Sequence, residues 1–180
     1  MNDTELRAVL ADAREVYGVF GNAKKALGLV DGALAEAPEQ LEALNLKAAI
    51  LYELDRDDEA RALHERVLAL QPCSVEALHG LAALANDAQD YKTALKLLDT
   101  AFTCLERDPD PEFRENEDFR QRLVAELYNE RAFALWYTGK RADAAKLLLT
   151  DAPAACPLEA ETFEDELAWL EEHPDSPEEE

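Results

Sequence analysis

The chain has 180 residues, of which 40 are acidic and 18 basic, giving a formal net charge of −22. Such a surface repels nucleic-acid phosphates and anionic lipid headgroups, so we expect neither nucleic acid nor membrane as a partner, whereas basic proteins are attracted. An excess of surface carboxylates also serves solubility alone, and the charge is compatible with both interpretations. Hydrophobic residues make up 48% of the chain, which is typical of a globular protein.

The N-terminal residues MNDTELRAVLADA contain no basic stretch followed by an apolar run, so we expect no secretion signal. No segment approaches the roughly 18 consecutive apolar residues that a membrane span needs. Cys73, Cys104 and Cys156 are odd in number and far apart, so they indicate neither a metal pair nor an even disulfide framework. We therefore expect reduced thiols that pack as small hydrophobic residues, and a cytoplasmic location.

The first three elements along the chain are helix pairs that repeat. Ala26, Ala60 and Ala94 recur at intervals of 34 residues, and Pro38 and Pro72 have the same spacing. A 34-residue period with helical patterning indicates an array of helix–turn–helix units. Small residues at these positions let two helices approach closely, and larger apolar residues fill the space between neighbouring pairs.

Seven positions of the repeat pattern, here called slots, recur at the same places in units that begin near Arg7, Leu41 and Val75. They hold Leu10, Ala13, Arg14, Tyr17, Ala26, Val30 and Pro38, then Leu44, Lys47, Ala48, Leu51, Ala60, His64 and Pro72, then Leu78, Leu81, Ala82, Ala85, Ala94, Leu98 and Glu106. In these residues the sequence resembles the tetratricopeptide-repeat (TPR) family. The resemblance implies an all-α, right-handed superhelical α-solenoid of about four helix–turn–helix units plus a C-terminal capping helix.

A displaced fourth unit follows, with Tyr128, Ala132, Gly139, Ala144 and Leu148 in its slots. Ahead of it lies an insert, RDPDPEFRENEDFRQR, whose prolines end the preceding helix. We expect a long first helix from about 111 to 137, broken near 116. The predicted organisation is a TPR array over 1–156, with units at about 7–38, 41–72, 75–108 and 125–156 and an insert at about 107–122.

The last predicted element is a capping helix over 157–173, followed by an acidic, disordered tail over 174–180. Within the helix, Phe163, Leu167 and Leu170 lie on one face at i, i+4 and i+7. Trp169 falls beside this stripe, where it can cover the edge of the last unit.

The sequence shows no assembly of catalytic, metal-binding or cofactor-binding residues. His64, His79 and His173 share no spacing of three or four residues, and no glycine-rich phosphate loop is present. His64 occupies a slot that is normally aromatic, which favours a packed core histidine. We therefore expect no enzyme activity, no metal and no cofactor.

By resemblance to the family, the first helix of each unit lines a concave groove that binds a partner. The matching positions give a predicted partner-binding groove of mixed carboxylates, amides and aromatic rings: Asn45, Tyr52, Glu53, His79, Asn86, Asp87, Glu126, Asn129, Glu130, Phe133, Trp136 and Tyr137. Asparagine amides can bond an extended backbone, and aromatic rings can anchor apolar side chains. The alternative for Trp136 and Tyr137 is packing under the terminal helix.

Some members of the family grip the acidic C-terminal tail of major chaperones with lysine, arginine and asparagine. At the matching positions this chain has Ala11, Glu15, Leu46, Glu76 and Gly80, so we expect no such binding. The leading hypothesis is a non-catalytic adaptor or scaffold whose groove holds a basic or amphipathic segment of another protein. The alternatives are a dedicated secretion or complex-assembly chaperone, a nucleic-acid mimic that acts by charge alone, and an enzyme.

Overall fold

The computed structural model describes residues 2–107 and 117–174, and every regular element in those ranges is a helix. The chain divides into two compact units, Met1–Pro72 and Cys73–Glu180. Within each unit, helices pack against their neighbours in sequence order, as TPR-like pairs joined by short turns. The prediction of an all-α, TPR-like fold is confirmed, and the right-handed superhelical path stays a prediction.

The first unit contains two helix pairs: α1 (Asp3–Gly18) with α2 (Ala23–Glu36), and α3 (Leu41–Tyr52) with α4 (Asp57–Leu70). Buried apolar side chains of α1, α2 and α3 form one cluster. It consists of Leu10, Ala13, Val16, Ala26, Val30, Ala33, Ala43, Leu46 and Ile50. Small alanines at the helix contacts allow close approach, and the branched residues fill the remaining volume.

Local sequence signals explain where the helices of the first unit begin. The Asn2 side chain accepts a hydrogen bond from the Glu5 N–H at 2.9 Å, and the Glu5 carboxylate accepts one from the Asn2 N–H at 2.9 Å. This reciprocal capping box satisfies N–H groups that have no partner within the helix. Asn22 caps α2 with a single hydrogen bond, in which its Oδ1 accepts from the Lys25 N–H at 3.1 Å, after a turn in which Gly21 has φ of 60°.

The second unit contains a run of helices in which short irregular turns connect the later ones. They are α5 (Val75–Asp87), α6 (Tyr91–Arg107), α7 (Glu117–Tyr137), α8 (Arg141–Lys146), a π-helical turn (Leu147–Asp151), α9 (Ala152–Ala155), a 3₁₀ turn (Pro157–Glu159) and α10 (Ala160–Glu172). Phe163 and Leu170 on α10 are fully buried, and Leu167 packs against the same core. The predicted apolar stripe of the C-terminal helix is therefore confirmed.

The prediction that all three cysteines are reduced thiols is wrong for two of them. Cys73 and Cys104 form a disulfide, with their Cα atoms 5.5 Å apart, and Cys156 is free and buried. Spacing along the chain gave no sign of this pair, because 31 residues separate the two cysteines. The pair is close in space because the turn before α5 and the end of α6 meet when these two helices pack together.

The insert before the fourth unit is described only from Glu117 onward, where α7 begins. The helix ends at Tyr137, the end that the sequence predicts, and Gly139 follows in the turn with φ of 83°. The predicted start near 111, the break near 116 and the tail beyond 174 lie outside the described residues. The unit boundaries taken from the sequence stay predictions.

Candidate functional site

Five of the predicted binding residues share one face of α7, because their spacing follows the helical repeat. They are Glu126, Asn129, Glu130, Phe133 and Tyr137. Helix α5 packs beside α7 and contributes His79 and Asn86, and α10 packs on α7 as well. The second unit therefore brings together the residues that the sequence predicts for the third and fourth repeats, apart from Trp136.

Asn86 links α5 to α7 through Glu130. Its Nδ2 donates hydrogen bonds to the Glu130 carbonyl oxygen at 3.0 Å and to Glu130 Oε2 at 2.6 Å. Asn86 is only 3% exposed, and its Oδ1 is buried with no hydrogen-bond partner among the described residues. The buried Oδ1 of Asn129 also has no described partner. Two buried amide oxygens of α5 and α7 thus have unused acceptor capacity.

His79 and Glu126 form the second contact between α5 and α7. The Nδ1 atom of His79 lies 3.7 Å from Glu126 Oε2. Burial lowers the pKa of His79 to about 4, so the imidazole is neutral at pH 7. The contact is then between a neutral ring and a carboxylate, and it does not neutralise the charge of Glu126.

Carboxylates on α7 and α10 crowd one another. Burial, and then the negative charges of Asp87, Glu166 and Glu126, raise the pKa of Glu130 to about 7 against the opposing hydrogen bond from Asn86. Burial also raises the pKa values of Glu126 and Glu166 above their ordinary value. No lysine or arginine of the described ranges forms an ion pair with Glu130 or Glu166. Glu130 and Glu166 therefore have no ion-pair partner in the described ranges, whereas the positive charge of Arg122 lowers the pKa of Glu126 against the effect of burial.

The C-terminal helix covers the aromatic end of this face. The Phe133 ring stacks on Trp169 with centroids 6.1 Å apart, and the Tyr137 hydroxyl donates a hydrogen bond to the carbonyl oxygen of His173 at 3.0 Å. Trp169 in turn stacks on His173 at 4.3 Å. Of the alternatives considered for Tyr137, the structure shows the contact with the terminal segment.

Sequence reasoning did not assign Tyr91, Glu166 or His173 to this face. Tyr91 stacks on Tyr137 with centroids 5.7 Å apart and meets Phe133 edge-on. The spacing of Glu166, Trp169 and His173 places the three on one side of α10, and that pattern could have grouped them. Nothing in the sequence indicated that this side turns toward α7.

We call the set that surrounds Glu130 the acidic face. Its members come from three helices of the second unit: His79 and Asn86 of α5, Glu126, Asn129, Glu130 and Phe133 of α7, and Glu166 and Trp169 of α10. Asp87, at the exposed end of α5, adds charge nearby. Trp136 lies elsewhere, 7% exposed, with the Arg141 guanidinium 5.2 Å above its ring.

The predicted binding residues of the first unit lie on and just after α3. Asn45 is 6% exposed, Tyr52 is half-buried, and Glu53 is exposed immediately after the helix. Nearby, Arg14 of α1 forms an ion pair with Glu42 at 3.0 Å, which joins the first pair to the second. In this unit only Tyr52 and Glu53 offer accessible surface from the predicted set.

Comparison with known protein families gives a match to a TPR-repeat region. Residues 13–134, more than half of the chain, match the family described as Psidin, N-terminal TPR repeats region. The chain belongs to the TPR family. The matched TPR region contains every predicted binding residue except Trp136 and Tyr137, and it ends before the C-terminal helix. No curated protein matches the chain.

Membership of the TPR family indicates the general class of activity. TPR repeats generally mediate protein–protein interactions, and the family is generally a non-catalytic scaffold. Across the described parts of this TPR chain, no helix combines the length and apolar character that crossing a membrane requires. The same residues contain no group of three or more histidine, cysteine, aspartate or glutamate side chains placed to hold a metal.

Proposed function

We propose that this chain is a non-catalytic adaptor or scaffold that binds a basic or amphipathic segment of a partner protein. The binding surface proposed for the second unit is the acidic face. The observation that carries the proposal is the set of carboxylates Glu126, Glu130 and Glu166, which lie together with raised pKa values. A cationic partner relieves the unfavourable burial and mutual repulsion of these groups.

Aromatic rings beside the carboxylates support the amphipathic part of the proposal. Phe133 is half-buried and Trp169 is 41% exposed, so the pair offers apolar surface next to charge. Rings give a large contact area with few rotatable bonds to immobilise on binding. The surface therefore matches a segment that alternates basic and apolar side chains, and it does not match an acidic tail.

Affinity capture followed by mass spectrometry tests the proposal with two orthogonal variants. Phe133→Ala removes an aromatic anchor, and the double variant Glu126→Gln, Glu166→Gln removes charge while leaving the ring contacts. We expect each to weaken binding of the captured partner by about 5- to 150-fold, as for loss of about 1–3 kcal/mol at an anchor. The double variant should also lose the salt dependence that wild type shows.

Matched control variants lie in the first unit. Phe20→Ala truncates a 68% exposed phenylalanine, and Asp58→Asn, Glu65→Gln removes two exposed charges of α4. The proposal fails if the controls lose the partner as fully as the acidic-face variants do. Capture of one client that is soluble only with this chain would instead indicate the secretion or assembly chaperone.

The predicted cytoplasmic location stays part of this proposal, and the disulfide does not support it. Disulfides such as Cys73–Cys104 are rare where glutathione and thioredoxin keep thiols reduced. Blocking free thiols at the moment of cell lysis in a denaturing buffer, which exposes the buried Cys156, and counting them by mass spectrometry tests the location. One blocked thiol per chain indicates an oxidising compartment, and three indicate a reducing one.

A further inference from the structure

Two turns of the first unit expose large apolar side chains. The turn between α1 and α2 contains Val19, which is 73% exposed, and Phe20, which is 68% exposed. The turn between α3 and α4 contains Leu54, which is 40% exposed. These three are half of the six large apolar side chains that are exposed among the described residues. Single exposed apolar residues are ordinary, so it matters whether these three lie together.

The two turns lie at the same end of the first unit. Helices α1 and α3 pack against each other. The Tyr17 hydroxyl, near the end of α1, lies 3.5 Å from the carbonyl oxygen of Ala49, near the end of α3. Each turn directly follows one of these two helix ends. Val19, Phe20 and Leu54 therefore belong to one surface, which we call the turn surface.

The geometry of the turns does not require large apolar side chains. Four helix pairs each turn through one residue with a positive φ, namely Gly21, Asp55, Gln89 and Gly139. The position before that residue holds Phe20 and Leu54 in the first unit, but Ala88 and Thr138 in the second. The same kind of turn thus forms with a small side chain at this position. The size of Phe20 and Leu54 is not needed to make the turn.

Charge is divided between the two turns. The first turn and the start of α2 carry the exposed Lys24 and Lys25, and residues 18–25 include no carboxylate. The second turn and the start of α4 carry four exposed carboxylates, those of Glu53, Asp55, Asp57 and Asp58. Within the described parts of the chain, neither these lysines nor these carboxylates form an ion pair. The turn surface is therefore basic on one side and acidic on the other.

We propose that the turn surface pairs two copies of this chain about a two-fold axis. Val19, Phe20 and Leu54 of one copy meet the same residues of the second copy. The lysines after each α1–α2 turn then lie against the carboxylates of the α3–α4 turn in the other copy. A two-fold axis requires a self-complementary surface, and apolar residues between opposite charges meet that requirement.

The size and charge of the molecule indicate a weak dimer. Three apolar side chains give a contact below the roughly 1,200 Å² of a standard interface. The net charge of −22 also opposes the approach of two copies at long range. We expect a dissociation constant on the order of 100 µM, so the chain is monomeric at the lower concentrations of affinity capture. The inference does not depend on the acidic face, for which Phe20→Ala remains a control.

Analytical ultracentrifugation of the full chain tests the pairing. In about 0.15 M salt, which screens the long-range repulsion, wild type should pass from monomer to dimer between about 1 µM and about 1 mM. Its mass should level off at two chains. Phe20→Ala should weaken association by about tenfold or more, because it removes an aromatic ring from the centre of the contact. Circular dichroism checks that this variant keeps the helical fold.

Charge reversal tests the pairing of the two turns. The double variants Lys24→Glu, Lys25→Glu and Asp57→Lys, Asp58→Lys should each stay monomeric, because like charges then meet at both contacts across the axis. An equimolar mixture of the two variants should dimerise. In the mixed dimer one contact is native, and the other has both of its charges reversed.

A matched control separates local charge from net charge. Lys92→Glu, Lys96→Glu reverses two exposed lysines of α6, in the second unit, and changes the net charge as much as reversal of Lys24 and Lys25 does. This control should dimerise within about threefold of wild type, since long-range repulsion is screened. Loss of dimers in the control would show that net charge alone governs association, and would overturn the pairing of the turns.

The remaining outcomes also decide the proposal. Wild type that stays monomeric up to about 1 mM overturns it and leaves the turn surface to a different protein. Association that Phe20→Ala does not weaken places the contact elsewhere on the chain and overturns it as well. A mixture that fails to dimerise, or a mass that grows beyond two chains, contradicts the two-fold arrangement. None of these results bears on the acidic face, which affinity capture tests separately.

Discussion

Phe133 and Trp169 stack with ring centroids 6.1 Å apart and ring planes 24° apart, so the C-terminal helix lies on the same side of α7 as the predicted binding residues. The acidic face therefore combines a helix that the repeat pattern assigns to partner binding with a helix expected only to cap the array. Glu126, whose side chain is 57% exposed, lies two helical turns from Phe133 and remains open to solvent. A partner can therefore reach Glu126 without displacing α10.

Removing the Trp169 ring should loosen the C-terminal helix modestly. We expect Trp169→Ala to lower the free energy of unfolding by about 1–2 kcal/mol, because a stacked aromatic pair contributes beyond its buried area. Urea unfolding followed by circular dichroism measures the change. Phe20→Ala, which truncates a 68% exposed ring in the first unit, should change stability by less than about 0.5 kcal/mol. Equal effects of the two variants would contradict the stacking contact.

Burial distinguishes two leucines of the second unit. Leu170 on α10 is fully buried, whereas Leu149 in the π-helical turn is 57% exposed. Leu170→Ala should cost about 2–5 kcal/mol through lost transfer free energy and a residual cavity. Leu149→Ala should stay within about 0.5 kcal/mol of wild type. Thermal unfolding of the two variants side by side checks this, and a small loss for Leu170→Ala would show that α10 does not seal the core.

Stability should depend on pH through Glu130. Its folded pKa of about 7 lies above the ordinary value of 4.5, so the folded state holds a proton that the unfolded state releases in this window. That contribution is complete below pH 4.5 and is lost as the pH rises to 7. His79 opposes it between pH 4 and 6.5, because the pKa of His79 is lowered in the folded state.

Comparison with Glu130→Gln isolates the carboxylate from His79. Between pH 5 and 8, wild type should lose about 2–3 kcal/mol of unfolding free energy relative to the variant. Urea unfolding in buffers of constant ionic strength gives the difference at each pH. Parallel curves for the two proteins would mean that Glu130 ionises as freely in the folded state as in the unfolded state.

Reducing the disulfide should destabilise the second unit. Closing a loop of about 31 residues restricts the unfolded chain, and the chain-entropy treatment gives about 3–4 kcal/mol. Unfolding with and without a phosphine reductant measures the loss, and the double variant Cys73→Ser, Cys104→Ser should not respond to the reductant. Cys156 provides an internal check: burial raises the pKa of this thiol to about 11, so alkylation should be slow until the protein unfolds.

Sequence periodicity predicted the helix pairs because small residues such as alanine recur at the positions where the two helices of each repeat pack closely together. Ala26, Ala60, Ala94 and Ala144 are all fully buried, at the positions where the repeat pattern needs small residues. The apolar stripe of the C-terminal helix could also be predicted, because Phe163 and Leu170 are seven residues apart and therefore lie on one helical face. His64, expected in the core, is 4% exposed.

Tertiary contacts explain what the sequence left out. The Cys73–Cys104 bond depends on the packing of α5 and α6, and two cysteines of an odd set carry no local sign of pairing. The raised pKa of Glu130 depends on burial against Asn86 and on the carboxylate of Glu166, which is 36 residues away along the chain. Neither effect has a counterpart in local periodicity or composition.

The bond between Cys73 and Cys104 makes the α5–α6 segment a covalent ring. A protease that cuts the turn between these helices would leave both fragments attached, and they would migrate as one band until a reductant separates them. A nicked molecule could therefore pass as intact in a purified preparation. Digestion mapping of this protein has to be carried out on reduced, alkylated samples.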